Sequence, residues 1–262
     1  MTCQLRRLQQ LLHSFAYHNA LHENPAFTMS TLADAAAQAL GLVATADPKV
    51  FGIVLLSLEV SLAAVVVGCL IGLPLGAAIA VNDFRGRRAV IVTLNALMGL
   101  PSVVVGLVVY LLLSRAGPLG AWGILFTPTA MVIAQTILIT PTIAALSRQI
   151  VADGWQEYRE QLRSLGETQL GAAMTLLWDL RFSLVTVVLA GFGRAASEVG
   201  AVMIVGGNID GVTRVMTTTI ALETSKGDLP LALALGIILL TIVLAVNAGA
   251  YVVKETAQLR YG

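Results

Sequence analysis

The sequence predicts an all-α membrane protein that crosses the bilayer five times. Of its 262 residues, 57% are apolar and 12% are charged, whereas an ordinary soluble domain has about 45–50% apolar and about 25% charged residues. The mean hydropathy is +0.84, and several uncharged stretches reach the roughly 20 residues that a membrane-spanning helix needs. This composition excludes both a soluble globular protein and a disordered one.

Stretches without Asp, Glu, Lys or Arg locate four of the predicted spans, at residues 60–82, 89–114, 116–147 and 229–253. A fifth span begins at 182–193 and resumes over 201–205, so Arg194 and Glu198 lie within it. Each stretch is long enough for a membrane helix. These spans occupy most of the chain beyond Phe51, which leaves no room for a second soluble domain.

The positions of Lys and Arg predict the orientation, because cytoplasmic loops carry the excess of these residues. With the N-terminus outside, the inner segments hold nine of them and the outer segments six. Arg85, Arg87 and Arg88 cluster between the first two spans and are typical of a cytoplasmic turn. We therefore predict an outer N-terminus and a cytoplasmic C-terminus, with residues 254–262 as a cytoplasmic tail.

The region before the first span divides into two predicted parts. Residues 1–28 are polar and carry all three histidines, so we expect an extension outside the fold, either disordered or the product of a wrongly assigned start. Thr31 followed by Asp34 is a helix-start signal, and apolar residues then recur at helical spacing. Residues 29–50 are therefore predicted to form an interfacial helix on the outer side, before a transmembrane domain over 51–253.

Several classes of function are disfavoured by missing residues. A P-loop ATPase needs a lysine that follows a glycine, and none of Lys49, Lys226 and Lys254 does so. No histidine occurs beyond His22, which removes zinc–histidine motifs and Ser/His dyads from the membrane region. Two distant cysteines suggest no metal cluster, and a net charge of +1 does not favour nucleic acid as a partner.

The region over 151–170 is the longest predicted cytoplasmic segment. Charged residues alternate there with Trp155, Tyr158, Leu162 and Leu165 at helical spacing, which predicts a short amphipathic helix that ends at Gly166 in a left-handed cap. The residues alone leave two interpretations open. The helix either lies on lipid headgroups or inserts into a groove of a partner protein.

Glu160 and Gly166 have the spacing of the Glu-Ala-Ala, three residues, Gly signature of ABC-importer permeases, which this segment resembles. Gln161-Leu162 replace the alanines, and Trp178-Asp179 stand where Leu-Pro is usual. Three further stretches resemble the permeases for molybdate, sulfate and tungstate, the last of them the tungstate branch in particular: GLPSVVVG at 99–106, GFGRAASEVGAVMIVGGNI at 191–209 and TRVMTTTIALETSKGD at 213–228. The resemblance covers residues 51–253.

This resemblance implies a type I permease-like fold and the transport subunit of an importer that moves tungstate across a bacterial or archaeal plasma membrane. It implies a homodimer with two ATP-binding subunits and an external substrate-binding protein, and it places ATP and magnesium on the partner subunit, with no cofactor, metal or catalytic residue in this chain. The matching segment implies that the residues coupling the chain to the ATPase are Glu157, Glu160, Leu162, Ser164, Leu165 and Gly166. Alternatives are a molybdate or sulfate permease, an ATP-independent secondary transporter with Glu198 as its coupling carboxylate, and a membrane enzyme.

Arg194 and Glu198 are the most informative charged pair, because each costs at least about 2.5–3.5 kcal/mol at the bilayer centre. Four residues apart, they are expected to share a helix face and to pair. We favour an intramembrane brace over a pathway cation, since a strong anion site would trap the cargo. Ser102 and Thr140 are candidates for weak hydrogen bonds to a passing anion.

A stripe of small residues in the first span predicts close helix packing. Gly68, Gly72 and Gly76 recur at every fourth position, which gives a smooth face that a second helix can approach. Packing against membrane lipid is expected elsewhere on the spans. Residues 206–208 are predicted to end the charged span in an outer turn, where a delivery protein could dock.

Overall fold

The computed structural model describes residues 48–261, together with residues 37 and 41. These residues form nine α-helices and no strand, which confirms the all-α class. The extension over 1–28 and most of the interfacial helix expected over 29–50 lie outside the described residues.

The helices are separated by short links and one longer loop. In chain order they are α1 (Pro48–Val81), α2 (Arg87–Met98), α3 (Ser102–Leu113), α4 (Pro128–Ser164), α5 (Gln169–Asp179), α6 (Arg181–Ala196), α7 (Gly200–Gly206), α8 (Met216–Lys226) and α9 (Leu229–Tyr261), with a 3-10 turn at Gly120–Trp122. By length and composition, α1, α4 and α9 can each cross a membrane. The pairs α2–α3 and α5–α6 pass the same test together, which brings the candidate spans to five and agrees with the prediction.

The span expected at 89–114 is not a straight helix. α2 and α3 meet at an angle of 98°, and the link between them is Gly99-Leu100-Pro101. Proline has no backbone N–H to continue the hydrogen-bond ladder, so the new helix starts after it. Pro74 and Pro141, by contrast, lie inside α1 and α4, each of which remains one helix.

The charged fifth stretch follows a sharp bend and contains one break. α5 and α6 meet at 80°, so the chain turns just before residue 182. α6 then ends at Ala196, and α7 begins only at Gly200. Glu198 therefore lies in a non-helical link between two helices. The predicted turn at 206–208 is present, since Gly207 and Asn208 have φ of 72° and 50°.

The stretch at 116–147 starts as a loop, and the helix begins later than hydropathy indicates. Thr127 caps α4 by accepting a hydrogen bond from the backbone N–H of Ala130, and Pro128 occupies the first turn, where its missing N–H costs nothing. Before it, the chain folds back so closely that a Cβ on Gly117 would lie 2.6 Å from the carbonyl oxygen of Leu112.

The amphipathic segment at 151–166 is not a separate helix but the last turns of α4, which runs unbroken to Ser164. Gly154 lies within α4, at a point where the helix packs closely against Leu180. A Cβ at this position would lie 2.7 Å from Cδ1 of Leu180. The span and the segment predicted to couple it to a partner are therefore a single continuous element.

α1 and α4 form the central packed pair of the bundle. A Cβ on Gly68 would meet Ile139 at 3.0 Å, and one on Gly72 would lie 2.8 Å from Cγ2 of Ile143. At Gly76 the backbones themselves approach, since a Cβ there would be 2.5 Å from the carbonyl oxygen of Ala144. The three glycines thus lie along one line of contact with α4. α6 covers this pair through a buried cluster that includes Leu184, Val187 and Phe192.

Candidate functional site

The hairpin between α4 and α5 forms a defined tip, which we call the coupling tip (residues 157–170). Gly166 has φ of +76°, a left-handed conformation that favours glycine. The N–H of Gly166 donates to the carbonyl of Arg163, and the N–H of Glu167 donates to that of Leu162, both at 3.1 Å. These two bonds form a Schellman cap. They confirm the expectation that a left-handed glycine ends this helix.

The coupling tip separates its predicted residues into one buried and five exposed positions. Leu162 is 8% exposed and packs into a cluster with Val151, Ala172 and Leu176, which holds α4 against α5. Leu165 is 78% exposed. The other predicted coupling residues, Glu157, Glu160, Ser164 and Gly166, are also exposed. Leu162 therefore holds the hairpin together, and the remaining five present the surface.

An apolar stripe continues from the tip along α5. Leu170, Met174 and Trp178 are 73%, 59% and 70% exposed, and they follow one another every fourth residue on the same helix face. The opposite face of α5 is buried through Ala172, Ala173 and Leu176 and so faces α1 and α4. Thr168 caps α5 by accepting a hydrogen bond from the N–H of Gly171 at 3.1 Å. The hairpin is thus held by caps and by a buried face, and it presents exposed apolar side chains.

The second group of predicted site residues meets where two broken helices face each other. We call this the bend junction, and it comprises Leu100, Ser102, Gln135, Arg194 and Glu198. Nη2 of Arg194 donates to the carbonyl oxygen of Leu100 at 3.4 Å, which ties α6 to the link between α2 and α3. Nε of Arg194 is buried and has no hydrogen-bond partner among the residues that the structure describes.

Glu198 fixes the start of α7 rather than pairing with Arg194. Its Oε1 accepts from the N–H of Ala201 at 2.9 Å, and its backbone carbonyl accepts from Oγ1 of Thr217 at 2.8 Å. Among the residues that the structure describes, Arg194 and Glu198 form no ion pair. The helix ends at Ala196, so the two side chains do not share the helix face that their spacing predicts.

Ser102 and Thr140 occupy different places. Ser102 opens α3 beside the start of α7, because a Cβ on Gly200 would lie 2.9 Å from its Oγ. Oγ1 of Thr140 donates to the carbonyl of Thr136 at 2.7 Å and so bonds to its own helix. Ser102 therefore belongs to the bend junction, whereas Thr140 does not contribute a free donor to it.

Gln135 is a residue of the bend junction that the sequence interpretation missed. It is only 4% exposed, and its Nε2 donates to the carbonyl oxygen of Ala195 at 3.0 Å, which links α4 to α6 next to Arg194. Within the described part of the chain, its Oε1 accepts no hydrogen bond. The sequence contains a signal for this residue, since Gln135 lies in the middle of an uncharged span. A side-chain amide there is costly to bury and needs a hydrogen-bond partner.

Comparison with known proteins gives close relatives, although no family model matches. The chain is 42% identical over 227 residues to the tungstate uptake system permease protein TupB of Peptoclostridium acidaminophilum, covering 87% of this chain and 100% of the relative. It is 46% identical over 197 residues to a probable anion ABC transporter permease protein of Haloferax volcanii, covering 73% and 85%. TupB of Campylobacter jejuni is 36% identical over 174 residues, covering 66% and 73%. Sulfate transport system permease proteins match at 26–30% identity.

Proposed function

Because this chain belongs to the tungstate branch of the oxyanion permeases of ABC transporters, we propose that it is the membrane subunit of an ABC importer that moves tungstate inward. In this proposal a separate subunit hydrolyses ATP and holds the magnesium, and an external binding protein delivers the anion. The chain itself then carries out no covalent chemistry. It supplies the pathway and the surfaces through which the two partners act.

One observation carries the choice of cargo. The 42% identity to a tungstate uptake permease extends over the entire length of that relative, whereas the sulfate permeases match at 26–30% and over shorter shares of their chains. A molybdate or sulfate permease remains the alternative. Tungstate, molybdate and sulfate are all tetrahedral dianions, so the weak, repeated contacts of a pathway discriminate poorly among them.

The coupling tip is the proposed contact with the ATPase. Its most exposed apolar side chain, Leu165, stands on a hairpin that the Schellman cap and the buried Leu162 hold in shape. An apolar side chain on a rigid projection suits insertion into a groove of a partner, because little conformational entropy is lost on docking. Glu157 and Glu160 lie on the same projection and are exposed. They provide charges that can pair at the rim of such an interface.

The bend junction is proposed to hold the bent helices of the pathway together. Arg194 holds the α2–α3 link through Leu100, and Glu198 holds the start of α7. We assign Arg194 the role of a brace, because its guanidinium donates to the backbone carbonyl of Leu100 in another segment. Two copies of the chain would enclose the pathway, with their N-termini outside and their C-termini in the cytoplasm. In that arrangement the coupling tip faces the ATPase.

Reconstitution in liposomes tests both the energy source of transport and the identity of the transported anion. The chain, its ATPase and its binding protein are placed in liposomes, and tungstate uptake is measured with and without ATP and against excess molybdate or sulfate. We expect uptake that needs ATP and resists both competitors. Uptake without ATP would contradict the ABC mechanism and favour a secondary transporter. Equal competition by molybdate would be consistent with the ABC mechanism, but it would mean that the protein also transports related oxyanions.

A matched pair of variants tests the coupling tip. Leu165→Asp changes a side chain that is 78% exposed, and Phe84→Asp changes one that is 45% exposed in the neighbouring turn between α1 and α2. Because both are exposed, neither is expected to alter folding. We expect Leu165→Asp to weaken ATPase binding at least tenfold, as loss of an interface anchor does, and Phe84→Asp to leave it near the wild-type value. If both variants bind the ATPase equally well, Leu165 is not part of the interface.

Gly166→Pro gives a second test of the same tip. Proline fixes φ near −65° and lacks the N–H that Gly166 donates to Arg163, so the cap cannot form. We expect the variant to assemble in the membrane and to lose ATP-driven uptake.

A further inference from the structure

An apolar groove of about 530 Å³ runs along the bundle between α1, α5 and α6. Val65, Cys69 and Leu73 line it from α1, and Leu184 and Val188 line it from α6. Its volume lies within the range of about 300–1,000 Å³ that is typical of small-molecule pockets. In a membrane-spanning chain, such a groove offers an acyl chain more contact than the smooth side of a helix.

Arg181 is the one charged residue among the described residues that line this groove. It is the first residue of α6, directly after the 80° bend. Its guanidinium lies 4.9 Å from the ring centroid of Trp178 and 4.5 Å from that of Phe182. Trp178 is 70% exposed, and exposed tryptophan together with arginine is typical of the level of the lipid headgroups. The groove therefore runs from headgroup level into the hydrocarbon.

The guanidinium of Arg181 has hydrogen-bond donors to spare. Nη1 donates to the carbonyl oxygen of Trp178 at 2.8 Å, which uses one of the five N–H groups of an arginine. Within the part of the chain that the structure describes, no carboxylate forms an ion pair with Arg181. The guanidinium lies against the rings of Trp178 and Phe182. Its planar fork of donors is suited to bind the oxygens of a phosphate group.

A second recess of about 270 Å³ adjoins the groove and shares Pro74, Met174 and Leu177 with it. Asn82 and Gln169 contribute polar side chains to this recess. The groove is thus apolar with one cation, and the recess that adjoins it carries two polar side chains. A phospholipid presents the matching three kinds of group: an acyl chain, a phosphate and a polar headgroup.

We propose that the groove binds one anionic phospholipid, with an acyl chain against α1 from Val65 to Leu73 and the phosphate on Arg181. The groove extends over about 12 Å of α1 at 1.5 Å per residue, which accommodates the first part of an acyl chain. The bound lipid joins α1 to the bend between α5 and α6. This site does not depend on which anion the protein transports.

Photolabelling of the purified full-length chain tests the site. The chain is placed in nanodiscs that contain either phosphatidylglycerol or phosphatidylcholine with the same diazirine-bearing acyl chains, and the labelled peptides are mapped. We expect residues 65–74 and 184–188 to be labelled more strongly by phosphatidylglycerol. Arg181→Gln should lower that labelling about fivefold, the effect of one cation at the membrane surface, and Arg181→Lys should retain it. Arg163→Gln is the matched control, because Arg163 is exposed and stacks on Trp155 outside the groove.

Three outcomes would overturn the proposal. The first is equal labelling of the groove by the two lipids in the wild-type chain. The second is wild-type labelling in a folded Arg181→Gln variant. If that variant fails to fold, a competition experiment on the wild-type chain replaces this second test. Unlabelled phosphatidylglycerol and phosphatidylcholine are then compared as competitors of the labelled lipid, and equal competition by the two would contradict the site. The third is efficient cross-linking of Cys69 to Cys69 of a second copy, measured with a short bis-maleimide in a Cys3→Ser background, which would assign the groove to contact between copies.

Discussion

Replacement of Gly76 by alanine measures how closely α1 and α4 pack. The added Cβ would lie 2.5 Å from the carbonyl oxygen of Ala144 and 2.8 Å from the backbone nitrogen of Arg148, and it would also collide with Oγ of Ser147. Two of these three atoms belong to the backbone of α4 and cannot rotate away. Since real Cβ atoms almost never approach closer than 3.0 Å, α1 must move by about 0.5 Å or more.

The size of the effect follows from two opposing contributions. Overpacking of a closely packed contact costs about 1–3 kcal/mol, and the rigid backbone of α4 places Gly76→Ala near the upper end. Alanine is favoured over glycine in a helix by up to about 1 kcal/mol. We therefore expect a net loss of about 2 kcal/mol. Gly52→Ala in the same helix is the matched control, because no atom of the described residues lies within 4 Å of its added Cβ. It should be neutral or slightly stabilising.

Thermal unfolding of the two purified variants in the same detergent provides the assay. At about 2–4 °C per kcal/mol for a chain of this size, Gly76→Ala should unfold about 4–8 °C below the wild-type chain. Gly52→Ala should unfold at or slightly above the wild-type temperature. If both variants unfold at the wild-type temperature, the backbones of α1 and α4 are not in contact at Gly76, and the packing argument fails.

Two further predictions concern the bend junction. Arg194→Lys keeps the positive charge but removes the Nη2 group that donates to Leu100. If Arg194 is a brace, the free energy of unfolding should fall by about 1 kcal/mol, while uptake per folded molecule in liposomes is retained. Loss of uptake in a variant that still assembles would contradict the brace. Glu198→Gln retains an oxygen that can accept from the N–H of Ala201, whereas Glu198→Ala does not, so only the alanine variant should lose about 1 kcal/mol of stability in thermal unfolding. Equal loss in both would mean that the negative charge of Glu198 matters more than the cap.

The sequence predicts where apolar segments lie better than where helices begin and end. Hydropathy locates all five candidate spans, because burial in lipid needs long uncharged stretches. It does not reveal the 98° bend at Pro101 or the late start of α4 at Pro128. Loops that are apolar and packed against protein have the same hydropathy as helices. The distinguishing signals are the glycines and prolines in these links, such as Gly99 and Gly117.

The candidate site is predicted where it depends on local geometry. The left-handed cap at Gly166 follows from local pattern alone and is confirmed. The pairing of Arg194 with Glu198 requires an unbroken helix between them, and the break after Ala196 prevents it. The contact of Arg194 with Leu100 joins residues 94 positions apart. No spacing rule within one helix reaches such a partner, which depends on how the bent helices meet.

The continuity of α4 joins two distant parts of the bundle within one helix. At 1.5 Å per residue its 37 residues extend about 55 Å, with the coupling tip at one end and Gln135 near the other. The glycine contacts with α1 touch α4 between Ile139 and Arg148, and the two helices also pack together at Met131 and at Val151. No break in α4 separates the coupling tip from Gln135, so a movement of the tip would be transmitted through the helix to the α6 segment that Gln135 bonds.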